Sequence, residues 1–309
     1  MTARITLALL FIVPAAMTYP WHSTQHRWVL GLAVAVVLIV FAWWRGHFLT
    51  TMIGSRFAMW RRRNAEPAAV PADDRVSVAV RVDPTDDAVE LPLPIVAGYL
   101  DRYGIRCDSV RVVTRTQGQS RTTWVGLTID ATANLAALQA RSAALPLRET
   151  AQIVARRLGD QLRESGFQVA VVDQPDAPLQ AGARETWRAI QDGDGYLTAY
   201  GLPTASGLSD GLAAQPSASE IWTVLEFSSD TRHSVVAAAC AVRTEAAPDV
   251  AAAGLVSLRG RQRPVLAAMD PLSVQRLGTP VTELSAELLA RLSWPLAAAP
   301  QQERAAGVS

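Results

Sequence analysis

The sequence predicts an α/β (α+β) protein: a two-helix transmembrane hairpin, then a soluble mixed α/β domain with a ferredoxin-like β-α-β-β-α-β first half. Three observations carry this. Two uncharged apolar runs of 17 residues, Ile5–Trp21 and Trp28–Trp44, fill the N-terminus. Charge is split: residues 1–63 hold seven Arg and no acid, whereas the other 246 hold 22 Arg and all 28 acidic residues. Finally, apolar residues alternate or recur at helical spacing over residues 76–173 in a legible order.

Each apolar run has the length of a short membrane span. They contain seven and ten Leu, Ile, Val or Phe residues, which favours insertion by about −2 to −4 and −3 to −6 kcal/mol before polar terms. Pro14 interrupts the first run, which neighbouring helices tolerate in lipid. Only His22–Arg27 separates the runs, so the hairpin, residues 1–46, is tight. Trp21 and Trp28 flank its loop and Trp43 and Trp44 mark the opposite membrane face, as aromatic belts do. Arg4, Arg45, Arg56, Arg61, Arg62 and Arg63 lie on one side and Arg27 on the other, which puts both termini in the cytoplasm under the positive-inside rule. A cleaved signal peptide is the rival reading; the second span follows too soon, with no good cleavage site between.

In residues 47–64, Leu49, Ile53, Phe57 and Trp60 repeat at helical spacing before Arg61–Arg63. A basic interfacial helix and a plain stop-transfer flank both fit this pattern. Residues 65–75, with Pro67 and Pro71, form a linker. The domain is expected over 76–299, with a flexible tail at 300–309.

Val76, Val78, Val80 and Val82 alternate with Ser77, Ala79 and Arg81 as in a half-buried strand. Pro94 opens a short helix with Val96, Leu100 and Tyr103 on one face, ended by Gly104. Ser109–Thr116 and Thr122–Asp130 read as a hairpin around Gln117–Ser120. Residues 131–145 are expected to be helical. After Pro146, Leu147, Ala151, Val154, Leu158 and Leu162 form the stripe of the longest helix, which Gly166 caps before a strand at Phe167–Val171. Together these make the split βαβ order. Further on, Arg184–Gln191 reads as helix, Ile221–Phe227 and Ser234–Val242 as a strand pair, 201–219 as a loop and Ser285–Leu292 as a short helix. No internal repeat is evident.

The chain contains no Lys. That excludes a Walker A phosphate loop and Schiff-base chemistry, because Arg stays protonated and cannot act as nucleophile or base. Two Cys and four scattered His offer no metal-site spacing. Gly207–Gly211 matches G-x-S-x-G around Ser209, yet Leu202–Ser206 is no core strand and His233 follows too closely for a triad. Asp192-Gly193-Asp194-Gly195 begins like a D-x-D or calcium loop, but Leu197 and Pro203 stand where an EF-hand needs Gly and Glu. Turn chemistry explains these four residues. His233 reads as a surface or strand-edge residue, and Arg259–Arg263 as a basic turn, more readily a solvated loop than a contact for lipid headgroups or an acidic partner. An acidic body without a recognisable module argues against nucleic acid as a partner.

The chain resembles the EccE family, membrane components of the type VII (ESX) secretion machinery. The likeness rests on the N-terminal hairpin followed by Trp60-Arg61-Arg62-Arg63, and on Leu145–Glu149 leading into Arg156-Arg157-Leu158. It rests also on Tyr200-Gly201-Leu202, on Ile221–Glu226 and on Gly260–Pro264. It spans nearly the whole length and is most similar to the short members of the third ESX system. None of these segments is a chemical motif. The resemblance implies a non-catalytic structural subunit of an inner-membrane complex. Its partners would be EccB, the ATPase EccC and EccD, with membrane lipid around the hairpin. It implies no cofactor, metal or small-molecule substrate. The residues expected at the membrane interface are Trp21, Trp28, Trp43, Trp44, Trp60, Arg61, Arg62 and Arg63. A membrane-anchored metal-dependent transferase using Asp192 and Asp194, or a hydrolase using Ser209, is the competing class.

Overall fold

The computed structural model describes residues 43–44, 47–48, 74–85, 90–202, 218–229, 233–246 and 255–296. The chain divides into two compact units, Met1–Ala68 and Ala69–Ser309. In the first unit four residues are described: Trp43–Trp44 and His47–Phe48 pair antiparallel, Trp43 with Phe48 and Trp44 with His47. Backbone expected to be helical is therefore extended at these positions; Gly46 between the two pairs is a poor helix former. The rest of the expected hairpin and juxtamembrane helix lies outside the described residues, as do Trp21, Trp28, Trp60, Arg61–Arg63, Ser209 and the tail. Among the described residues no helix is long and apolar enough to cross a membrane.

The second unit is a mixed α/β domain made mostly of strands. Its elements, in chain order, begin with β1 (Arg75–Asp83), α1 (Leu93–Ala97), β2 (Ile105–Gln117), β3 (Ser120–Asp130), α2 (Leu135–Arg141), α3 (Leu147–Glu164) and β4 (Gln168–Val172). There follow β5 (Arg184–Glu185), β6 (Ile190–Asp192), β7 (Gly195–Leu202), β8 (Glu220–Ser229), β9 (Ser234–Thr244), β10 (Val256–Ser257), α4 (Gln262–Ala268), β11 (Val281–Glu283) and α5 (Ala286–Arg291).

The strands form one antiparallel sheet in the order β4-β1-β3-β2-β8-β9-β7-β6-β5, with β10 on β7 and β11 on β9. Over β1–β4 the spatial order is fourth, first, third, second. Over β7–β10 it is the same, read from the opposite end, since β10 borders β7, β7 borders β9 and β9 borders β8. The two sets meet where β2 pairs β8, with Val112 opposite Leu225 and Val113 opposite Val224. This mirrored order is invisible in the sequence, because it lies in strand neighbours and not in repeated residues.

Strand alternation sends side chains to two cores. Val78, Val80, Val82, Val112, Val125 and Leu127 pack on one face beneath α1 and α3. Here α3 buries Leu147, Ala151, Val154, Leu158 and Leu162, the stripe expected for it; full burial of each large member contributes about 1.5–3 kcal/mol. Gly166, at φ 94°, and the Phe167 N–H donating to Leu162 O at 3.1 Å end the helix. Val113, Trp124, Trp222 and Val224 face the other way, against Val265, Leu266 and Met269 of α4 and its exit. A strap, residues 270–277, follows α4 and crosses this second face. Gly126 lies directly beneath it, where a Cβ would run into the Pro271 carbonyl oxygen.

Three local expectations need correction. Arg184–Gln191 is not helical: β5 and β6 pair instead, around a turn in which the Thr186 N–H donates to Ala189 O at 2.8 Å. Arg259–Arg263 is not a solvated basic turn, because Gln262 is fully buried and opens α4. The backbone N–H groups of Gln262 and Arg263 both donate to Glu185 Oε1, at 3.0 and 3.2 Å, so a carboxylate caps that helix start. Tyr103 does not share a helix face. It sits after the short 3₁₀ turn Gly98–Leu100, with φ 56°, beside Gly104 with φ 71°, and is exposed.

Candidate functional site

The second face of the sheet carries charge in its interior, and that is where a candidate site forms. Along β8, Glu220, Trp222, Val224, Glu226 and Ser228 share one side, so two acids point into a buried layer. Neighbouring strands answer them. Arg111 and Arg115 project from β2 on that side, and Arg243 from β9.

Arg111 stands opposite Glu226 in register. Its Nη2 donates to Glu226 Oε2 at 2.5 Å and its Nε to the same oxygen at 3.0 Å. The strap takes the other donors: Nη1 reaches the carbonyls of Asp270 and Ser273, both at 3.0 Å, and Nη2 that of Gln275 at 2.6 Å. Glu226 Oε1 accepts from the Leu277 N–H at 3.1 Å. All five guanidinium donors are satisfied, which is what a charge this deeply buried requires.

The second network surrounds a cavity. Glu220 bridges two arginines, accepting from Arg115 Nε at 2.5 Å and from Arg243 Nε at 2.7 Å. Arg243 Nη1 continues to Asp192 Oδ1 at 2.6 Å, and Arg115 Nη1 to Asp176 Oδ2 at 3.0 Å. Burial alone would pull the Arg243 guanidinium down, but hydrogen bonds and charge from Glu220 and Asp192 hold it above its ordinary value. Trp222 stacks on Trp124 with centroids 5.9 Å apart, and the Arg115 guanidinium lies 5.7 Å from the Trp222 ring. The cavity has a volume of about 510 Å³; Asp176, Gln180 and Asp194 stand on its exposed side.

The Asp192–Gly195 segment is the β6–β7 turn. Asp192 Oδ1 accepts the Asp194 N–H at 3.0 Å, while Asp194 Oδ2 accepts from Gln180 Nε2 at 2.6 Å. One carboxylate is thus committed to Arg243 and the turn, the other to an amide. Turn chemistry and charge pairing account for both. His233 is exposed at the start of β9, 3.7 Å from Glu283. Cys107 and Cys240 are free, buried on the other face and pushed up to about 12, chiefly by burial, which makes them poor nucleophiles.

Sequence reasoning reached Asp192 and Asp194 but missed Arg115, Asp176, Glu220, Trp222 and Arg243. A signal was present. Glu220 and Glu226 occur in phase with Trp222 and Val224, and Arg111 and Arg115 in phase with Val113. Charges at inward positions of apolar strands demand partners on adjacent strands.

Comparison with known proteins places the chain among relatives. Residues 118–202 match the EccE family model, described as a type VII ESX secretion system translocon. The "ESX-3 secretion system protein EccE3" of Mycolicibacterium smegmatis is 48% identical over 286 residues, 91% of this chain and 92% of that protein. The protein of the same description from Mycobacterium tuberculosis is 46% identical over 308 residues, 94% of this chain and 91% of that one. The matched family segment carries Asp176, Gln180, Asp192 and Asp194.

Proposed function

The chain belongs to the EccE family, and from that premise we propose that it is a non-catalytic structural subunit of the type VII ESX secretion complex. The observation that carries this reading is identity of 46–48% to EccE3 proteins across more than nine-tenths of the chain. The chemistry described above agrees with it: the carboxylates of the candidate site are held by arginine or amide partners.

The finer parts of the reading rest on the sequence. Two uncharged 17-residue runs and a one-sided arginine count support an inner-membrane hairpin over 1–46, with both termini in the cytoplasm. Trp21, Trp28, Trp43, Trp44, Trp60 and Arg61–Arg63 then meet the membrane interface. The basic segment 47–64, the linker 65–75, the body 76–299 and the tail 300–309 divide the rest. Partners would be EccB, EccC and EccD, with the body bracing EccC and EccD during export. The strand order of β1–β4, with α1 and α3 against one face, supports a ferredoxin-like first half.

Extraction of tagged protein in mild detergent, followed by native electrophoresis and mass spectrometry of the band, tests the proposal. Migration in a very large assembly that contains an FtsK-like ATPase is the expected result. A lone monomer or homodimer would overturn it. Deleting 65–309 while keeping the hairpin is expected to weaken secretion, and undiminished secretion would remove the bracing role.

A further inference from the structure

We propose that the cavity between Asp176, Asp194 and Trp222 is a docking socket for one arginine or lysine side chain of a partner polypeptide. The inference rests on the structural-subunit reading and names the chemistry of one of its contacts.

Two guanidiniums, Arg115 and Arg243, face four carboxylates: Glu220, Asp192, Asp176 and Asp194. Glu220 is shared between both arginines, and each arginine has one further carboxylate. Asp194 is left with only the Gln180 amide. The network therefore carries two surplus negative charges, and it presents them to solvent at the cavity mouth through Asp176 and Asp194, a field that draws a cation.

A second observation is independent of the acids. Trp222 lines the cavity and is 1% exposed, and its indole Nε1–H has no acceptor among the described residues. A buried indole donor ordinarily finds one. The occupant should therefore bring a cation for the carboxylates and an oxygen for the indole. A basic amino-acid residue does both, through its side chain and its own peptide carbonyl. A bare metal ion brings no acceptor, and the acid surplus repels a phosphate. A volume of about 510 Å³ accommodates one long side chain with its backbone.

The placement of the acids suits this use. The Asp176 side chain is 58% exposed and Asp194 is exposed, whereas the side chains of Glu220 and Asp192 are buried. The inner pair holds Arg243 and one side of Arg115, while each outer acid spends one oxygen, Asp176 on Arg115 and Asp194 on Gln180, and turns the other toward a newcomer.

The test uses the full chain in detergent micelles, labelled with ¹⁵N-tryptophan, with the Trp222 indole signal assigned through Trp222→Phe. N-acetyl-arginine N-methylamide should shift that signal saturably. The citrulline analogue, isosteric but neutral, should bind at least tenfold more weakly, as should butylguanidine, a monocation with no peptide carbonyl. Asp176→Asn with Asp194→Asn should weaken arginine binding at least tenfold while leaving the other indole signals in place. An equal response to citrulline, no saturable response, or full binding by the double variant would overturn the socket.

A second arm addresses the partner. Asp176→Arg with Asp194→Arg should lower recovery of the chain in its large native assembly at least fivefold. Undiminished recovery would overturn docking through this cavity and leave the subunit reading intact. Absence of the unsubstituted chain from any large assembly would sink the subunit reading, and the arginine titration would still stand or fall separately.

Discussion

Arg111 and Glu226 stand opposite one another across the ladder that joins β2 to β8, with Nη2 2.5 Å from Oε2 and side chains 2% and 3% exposed. The pair also nails down the strap, since three strap carbonyls and the Leu277 N–H complete its hydrogen bonds. Removing one partner leaves a buried charge unmatched. Glu226→Gln should therefore cost on the order of 3–5 kcal/mol in denaturant unfolding. Replacing both, as Arg111→Met with Glu226→Leu, should not restore full stability, because the strap carbonyls lose their donors. Limited proteolysis should cut first within 270–277 in these variants. A parent-like cleavage pattern would refute the nailing role.

Gly126→Ala tests the same strap by sterics. The added methyl would collide with the Pro271 carbonyl, and backbone on both sides cannot yield cheaply. A loss of about 1–3 kcal/mol is expected. Gly193→Ala, where a Cβ meets open space, is the matched control for packing.

Two acids should give opposite pH signatures. Burial raises Asp270 above the usual carboxylate range, against a hydrogen bond from Leu272 and the charge of Arg111. Its contribution is then present at acid pH and lost as pH rises through the folded value, since ionisation is harder in the fold. Asp270→Asn should accordingly raise Tm at pH 7, with the gain vanishing near the unfolded value of about 4. For Asp130, burial pushes upward too, but hydrogen bonds from Ala133, Arg75 and Thr132 outweigh it and the carboxyl titrates low. Its contribution is present above the unfolded value and lost as pH falls through the folded one. Asp130→Asn should thus be destabilised at pH 7 and converge on the parent in acid. Thermal melts across pH 3–8 check both signs.

Cys107 and Cys240 are buried and held up to about 12. Alkylation at pH 8 should be slow in the native chain and prompt only in denaturant, read by intact mass. Rapid native labelling of either thiol would contradict the burial described.

Asp192→Ala bears on the competing enzyme reading. Its side chain is 3% exposed and pairs with Arg243, so the substitution should lower stability by about 3–5 kcal/mol with no substrate involved. Loss of function in that variant must be judged against folded protein. Ser209→Ala, by contrast, should preserve both fold and secretion, and abolished secretion would revive hydrolase chemistry.

The regular elements were legible wherever one period dominated. Alternating valines announced β1, the Leu147–Leu162 stripe announced α3, and Gly118, at φ 57°, turned the expected β2–β3 hairpin. Reading failed where tertiary partners decide. Arg184–Gln191 has residues compatible with helix, but ladder pairing and the Thr186 turn claim them. Gln262 looks like loop polarity until Ala199 N–H is found donating to its Oε1 at 2.6 Å. The cavity joins Arg115 to Arg243 through Glu220, and no local pattern reports a junction between strands so far apart in sequence.

The mirrored strand order has a practical side. Every ladder of β1–β4 forms among residues before 173, and every ladder of β5–β11 among residues after 183, with the β2–β8 seam the one strand ladder between the halves among the described residues. Opening the chain between Val172 and Arg184 would cut no strand. Expressed apart, the two pieces should find each other through the β2–β8 seam and rebuild one sheet, turning the seam into a reporter of assembly in the living cell.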